Sequence, residues 1–211
     1  MKKNLTELVF IIDQSGSMSG FVTDTIGGFN STLKKQKAEE GECLVSTVLF
    51  DSETSVLHDR VPISKINKMT ERDYTPNGYT ALLDAVGGAI HHIGNVHKYA
   101  REEDVPERTI FVITTDGMEN ASRRYSRDRV REMIKRQTEK YGWEFIFLGA
   151  NIDSAETAGS LGIKEERAAN YCQSREGFTN CYDAIDSYIS MSRRSVPKED
   201  IDREWKRKLT K

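Results

Sequence analysis

Leu8-Val9-Phe10-Ile11-Ile12-Asp13-Gln14-Ser15-Gly16-Ser17-Met18 is the stretch on which the reading of this chain turns. Five apolar residues follow one another without polar alternation, the mark of a strand covered on both faces. The run ends in one carboxylate and two hydroxyls at alternate positions on a Gly-containing loop. All three are hard oxygen donors, which suit Mg²⁺, Ca²⁺ or Mn²⁺ rather than zinc. One charged donor and two neutral ones leave a divalent ion electrophilic and short of ligands. Such a loop is built to catch something as well as to hold a metal.

Outward from it, strand and helix patterns alternate. Residues 5–12 read as a buried strand. Residues 21–38 read as a helix with Phe21, Val22, Ile26, Phe29 and Leu33 at helical spacing, closed by Gly41. Residues 43–50 are a β-branched-rich strand, and 54–58 follow a short turn as an antiparallel edge strand. Residues 60–79 read as irregular, with Pro62, Pro76, Asn77 and Gly78 as breakers. A long helix is expected over 80–100, a strand over 108–115, a charged helix over 126–140 and a strand over 143–148. Weaker signals suggest a short helix at 154–161, a short strand at 168–172 and a helix at 175–194. This alternation predicts an α/β fold, Rossmann-like and doubly wound, with a mostly parallel sheet, one antiparallel edge strand and helices on both faces. Residues 1–194 read as a single domain. Residues 195–211 read as a charged tail, either a docked short helix carrying Trp205 or a mobile segment.

In open α/β sheets ligands bind beyond the carboxyl ends of the strands, where strand order reverses. Two further segments put oxygen donors there. One is Asn77-Gly78-Tyr79-Thr80-Ala81-Leu82-Leu83-Asp84, with Thr80 at a loop-to-helix junction. The other is Thr114-Thr115-Asp116-Gly117, directly after an apolar strand. Asp13, Ser15, Ser17, Thr80 and Asp116 together offer two carboxylates and three hydroxyls. Water completes an octahedral shell for Mg²⁺, which keeps several waters. Each aspartate alone also reads as a helix N-cap or turn residue, and the serines as caps; the joint pattern favours metal.

Those five positions, in that order, resemble the metal-ion-dependent adhesion site of von Willebrand factor A domains, and nothing in them departs from the pattern. The flanks Gly78–Ala85 and Thr115–Ala121 resemble bacterial or phage-type intracellular members. The likeness covers roughly residues 5–190. It implies that Ser15, Ser17 and Thr80 touch the metal through their hydroxyls. It also implies that Asp13 and Asp116 act directly or through water, and that a partner's Asp or Glu takes the remaining position. Two aspartates only neutralise M²⁺, so an incoming carboxylate is still attracted. Mg²⁺ is the expected ion, with Mn²⁺ and Ca²⁺ as alternatives. The strands ending at Asp13 and Asp116 must then be neighbours, with the 43–50 strand on the other side of the first.

The chain has 31 Lys+Arg against 33 Asp+Glu, a net charge of −2 that gives no global pull toward nucleic acid or an anionic membrane. No apolar run approaches the roughly 18 residues of a membrane span. Cys43, Cys172 and Cys181 are odd in number and lack metal-site spacing. A disulfide framework is therefore not expected, and a cytoplasmic setting is. Cys172 and Cys181 read as buried small hydrophobes. His91, His92 and His97 read as helix-surface histidines, Asp84 as a structural anchor for a neighbouring loop, and Gly87-Gly88 as close packing against the sheet. Arg123, Arg124 and Arg127 open a basic stretch reaching Arg136. It reads first as a solvated helix face and second as a partner surface for acidic protein or nucleic acid.

The functional expectation is a metal-dependent protein-binding module rather than an enzyme. A Mg²⁺-dependent phosphoryl hydrolase with Asp13 as nucleophile is the alternative, but that chemistry wants a second Asp where Ser15 stands. A nucleic-acid-associated factor using the basic 123–136 stretch is the third reading.

Overall fold

A computed structural model of the chain describes residues 1–209. Six strands form one sheet: β1 (Lys2–Asp13), β2 (Glu42–Phe50), β3 (Thr54–Pro62), β4 (Pro106–Thr115), β5 (Glu144–Gly149) and β6 (Ala168–Asn170). Six α-helices connect and flank them: α1 (Val22–Lys37), α2 (Leu82–Tyr99), α3 (Arg127–Tyr141), α4 (Ser154–Ser160), α5 (Arg175–Arg193) and α6 (Lys198–Glu204).

The strand order is β3-β2-β1-β4-β5-β6. All neighbouring pairs are parallel except β2–β3. The α/β doubly wound sheet with one antiparallel edge strand is the one expected from the sequence. β1 lies between β2 and β4, with Ile11 level with Val48 on one side and Ile113 on the other. The chain therefore leaves β1 toward β2 and later returns to its opposite side as β4. That reversal point sits at the carboxyl ends of β1 and β4, where a crevice must open.

Strand alternation sorts the core into two layers. Leu8, Phe10 and Ile12 of β1 pack with Ile110, Val112, Ile146 and Leu148 beneath α1 and α5. Val9 and Ile11 pack with Phe111, Ile113, Phe145 and Phe147 beneath α2 and α3. Buried on both faces, these strands read as unbroken apolar runs because no side of them meets water.

Several local expectations are corrected. β3 runs to Pro62 rather than ending at residue 58, with register shifts in its pairing to β2. The first helix is preceded by a turn of 3₁₀ helix over Gly16–Phe21. His97 is not a surface residue: its side chain is 10% exposed and meets the buried Glu7 carboxylate at 2.6 Å. His91 and His92 do face solvent. Gly87 packs against the Tyr125 ring rather than the sheet, a Cβ there falling 2.5 Å from it, whereas a Cβ at Gly88 would have open space. Cys172 is exposed, whereas Cys181 is buried, and all three cysteines are free. Trp205, just after α6, is 1% exposed. Its ring stands edge-on to Tyr188 of α5 at 5.7 Å, and its indole N–H donates to the Glu166 carbonyl at 2.9 Å. Among the described residues no helix is long and apolar enough to cross a membrane.

Candidate metal centre

The loops after β1, β2 and β4 and the segment before α2 meet at the reversal point, and backbone bonds stitch them. Gly16 N–H donates to the Gly78 carbonyl at 3.2 Å and Asn77 N–H to that of Gln14 at 2.8 Å. Ala81 N–H donates to the Asp51 carbonyl at 2.8 Å, and Asn120 N–H to that of Thr80 at 3.0 Å. Gly78 has φ +65° and lies so close to Ser52 Oγ that a Cβ would fall 2.6 Å away, so this turn demands glycine.

Within this frame Asp13 is fully buried. Its Oδ1 accepts from Ser15 N–H at 2.7 Å and its Oδ2 from the Thr115 hydroxyl at 2.6 Å. Burial pushes the Asp13 carboxyl above its usual value; hydrogen bonds from Ser15 and Thr115 oppose this, and the nearby Asp116 charge adds to it. Tyr74, also buried, donates its hydroxyl to the Asp13 carbonyl at 2.6 Å and fixes the strand end. Ser17 Oγ donates to Asp116 Oδ1 at 2.7 Å and lies 3.1 Å from Ser15 Oγ. Asp116 Oδ2 accepts from Gln173 Nε2 at 2.7 Å.

The structure thus brings Asp13, Ser15, Ser17 and Asp116 into one hydrogen-bonded cluster. Thr80 lies 4% exposed beside it, its backbone N–H on Asn120 Oδ1 at 2.9 Å. A Cβ added at Gly117 would stand 3.4 Å from the Thr80 hydroxyl, so the Thr80 side chain faces the turn that follows Asp116.

The proton count tests whether this cluster suits a cation. Ser17 gives its proton to Asp116, which leaves the serine pair only the Ser15 proton. Ser15 precedes the 3₁₀ turn but makes no side-chain cap. Both serine oxygens therefore keep lone pairs that no donor among the described residues fills; Ser15 is 2% exposed, whereas Ser17 faces solvent. Two carboxylates beside unfilled hydroxyl lone pairs fit a hard divalent cation. No group of three or more His, Cys, Asp or Glu that could hold a metal occurs among the described residues, so a cation at this cluster would have to be held by the hydroxyls as well as the two carboxylates.

Several contributors escaped the sequence reading. Thr115 was read only as part of a strand end, yet it holds Asp13. Glu119 accepts from Leu83, Ala121 and Ser122 N–H groups and from the Ser122 hydroxyl, which shapes the loop after Asp116. Gln173 comes from the loop after β6, where no charge or periodicity marks it. Asp84 anchors a loop as expected, accepting from Arg123, Arg124 and Tyr125 N–H groups at 2.9 Å each. Arg123, Arg124 and Arg127 are exposed, and their guanidinium groups have no partner among the described residues. Tyr79, 69% exposed, and Met118, 74% exposed, flank the site from adjacent loops.

No protein-family model matches the sequence, and no curated protein matches it. Solved structures do match. The von Willebrand factor domain of the type V pili tip protein Mfa5 from Porphyromonas gingivalis aligns with TM-score 0.61 and 15% identity, over 89% of this chain and 95% of that one. The manganese-loaded TRAP protein of Plasmodium vivax aligns with TM-score 0.57 and 16% identity, over 85% of this chain and 72% of that one. Proximal thread matrix protein 1 from the mussel byssus aligns with TM-score 0.62 and 15% identity over 90% of this chain; the match spans 46% of the mussel chain's own length. These likenesses concern architecture, and at this identity they carry no residue roles. The chain therefore has the fold of von Willebrand factor A domains.

Proposed function

We propose that this chain is a metal-dependent protein-binding module whose cation, held by Asp13, Ser15, Ser17, Thr80 and Asp116, captures an Asp or Glu side chain of a partner protein. The observation that carries this reading is the unfilled serine lone pairs beside two carboxylates at the sheet's reversal point. The cation, with Mg²⁺ the expected ion and Mn²⁺ or Ca²⁺ as substitutes, supplies a Lewis-acidic position for an incoming carboxylate. Ser15, Ser17 and Thr80 offer neutral oxygens, so the residues themselves contribute only two negative charges. Asp116 orients Ser17 by accepting its hydroxyl hydrogen bond, and Asp13 fixes the loop by accepting from Ser15 N–H and the Thr115 hydroxyl. Exposed Tyr79 and Met118 stand on the loops beside the site, and Arg123, Arg124 and Arg127 add exposed positive charge farther along the segment after Asp116, a combination that suits an acidic partner segment. Three cysteines, an odd number without metal-site spacing, are the ground for proposing a cytoplasmic setting.

The phosphoryl-hydrolase reading needs Asp13 as an accessible nucleophile. Its carboxylate is fully buried with both oxygens hydrogen-bonded, which disfavours attack. The expected result of Asp13→Ala is loss of both Mn²⁺ binding by calorimetry and metal-dependent partner pull-down. Partner binding that survives both this substitution and EDTA would sink the proposal.

A further inference from the structure

Asp116 is 4% exposed, and each of its oxygens accepts one hydrogen bond: Oδ1 from Ser17 Oγ at 2.7 Å and Oδ2 from Gln173 Nε2 at 2.7 Å. The Gln173 amide is itself oriented, because Asn151 Nδ2 donates to its Oε1 at 2.7 Å. The amide nitrogen must then face the carboxylate. Asn151 is held in left-handed backbone at φ +56°, which asparagine tolerates better than most residues. Backbone bonds fix the surrounding loops: Ala150 N–H to the Thr115 carbonyl at 3.0 Å, Tyr171 N–H to that of Gly149 at 2.9 Å and Ser174 N–H to that of Cys172 at 2.8 Å. A relay Asn151–Gln173–Asp116–Ser17 therefore joins the loops after β5, β6, β4 and β1.

We propose that Gln173 is a positioning residue that keeps Asp116 from touching the cation directly, and so keeps the cation selective for an anionic ligand. This rests on the metal-centre reading above. A carboxylate tied by donors at both oxygens acts through Ser17, whose oxygen becomes a better donor as its proton is drawn to Asp116. Released from Gln173, the Asp116 carboxylate is free to turn an oxygen onto the cation. A second charge in direct contact would hold the metal more tightly and weaken its pull on an incoming carboxylate. Gln173 thus exchanges metal affinity for capture of an acidic partner.

The test uses the full chain and Mn²⁺ alone, with the waters bound to Mn²⁺ counted by pulsed electron paramagnetic resonance in ¹⁷O-labelled water. For Gln173→Ala the expected result is binding tighter by about tenfold, the scale on which residues behind metal ligands act, together with loss of one bound water. Asn151→Ala, which leaves the amide but removes its orienting donor, should shift both readouts in the same direction by less. The metal-free melting temperature is measured for both variants so that a modest loss of stability, expected above all for Asn151→Ala because alanine is strained at φ +56°, is separated from the change in metal binding. An unchanged water count in Gln173→Ala overturns the proposal, whatever happens to affinity, because a residue that only staples loops would give that result. A wild-type chain that takes up no Mn²⁺ overturns the metal-centre reading itself and is told apart by that control.

Discussion

Glu7 sits in β1 with no solvent exposure, and two side chains from distant parts of the chain converge on it, the Arg60 guanidinium and the His97 ring. Arg60 Nε lies 2.6 Å from Oε1, and His97 Nε2 lies 2.6 Å from Oε2. The His97 ring also stands edge-on to Trp143 at 5.3 Å. A buried carboxylate stripped of its charged partner is left uncompensated. Arg60→Met should therefore lower stability by about 3 kcal/mol, read from urea unfolding. A loss near zero would mean that His97 alone satisfies Glu7. The sequence made His97 look like one of three surface histidines because its partner lies 90 positions away. Helical spacing reports which face a residue occupies, and says nothing of a lone acid on a strand beneath it.

Among the elements, α6 and the turn after it show where pattern reading runs short. Its apolar contribution is Ile201 and Trp205, one turn apart, too little periodicity to separate a docked helix from a mobile tail. Tertiary contacts carry what the pattern lacks: Trp205 stands edge-on to Tyr188 of α5 and donates to the Glu166 carbonyl. Trp205→Ala should cost about 3–5 kcal/mol by chemical denaturation, the range for deleting a buried large aromatic. A cost under 1 kcal/mol would mean that this segment contributes little to the folded state. By contrast, β1, β4 and β5 were legible as apolar runs because burial on both faces leaves no polar alternation to confuse them. The span and bulge of β3 were not, because an edge strand answers to its one neighbour rather than to a core.

At the scale of the whole molecule, the strand order decides where chemistry can occur. The three sequence segments carrying Asp13, Thr80 and Asp116 are far apart along the chain, yet the β2-β1-β4 order delivers them to one crevice. Their identity was legible because each follows an apolar strand or precedes a helix; the support from Thr115, Gln173 and Asn151 was not, since neutral hydrogen-bonding residues carry no pattern. On the proposed reading, ion binding at this cluster should stabilise the fold by mass action. At a hundredfold excess over its dissociation constant, Mn²⁺ should add ~2.7 kcal/mol. For a chain of this size that raises the melting temperature by about 5–10 °C. Differential scanning fluorimetry should show this rise reversed by EDTA and missing in Asp13→Ala; equal rises in both proteins would place the ion elsewhere.

The inward turn of Arg60 has a consequence for how copies of this chain can meet. At φ +51° it kinks the outer strand, and its side chain folds across the sheet toward Glu7 instead of outward. Pro62 ends that strand without an N–H to offer, and the opposite border, β6, is only three residues long. A strand from a neighbouring molecule finds no straight ladder to extend on either side, so growth by strand addition is blocked at both borders. The exposed Tyr79 and Met118 lie away from both borders, at the loop-bearing end of the sheet.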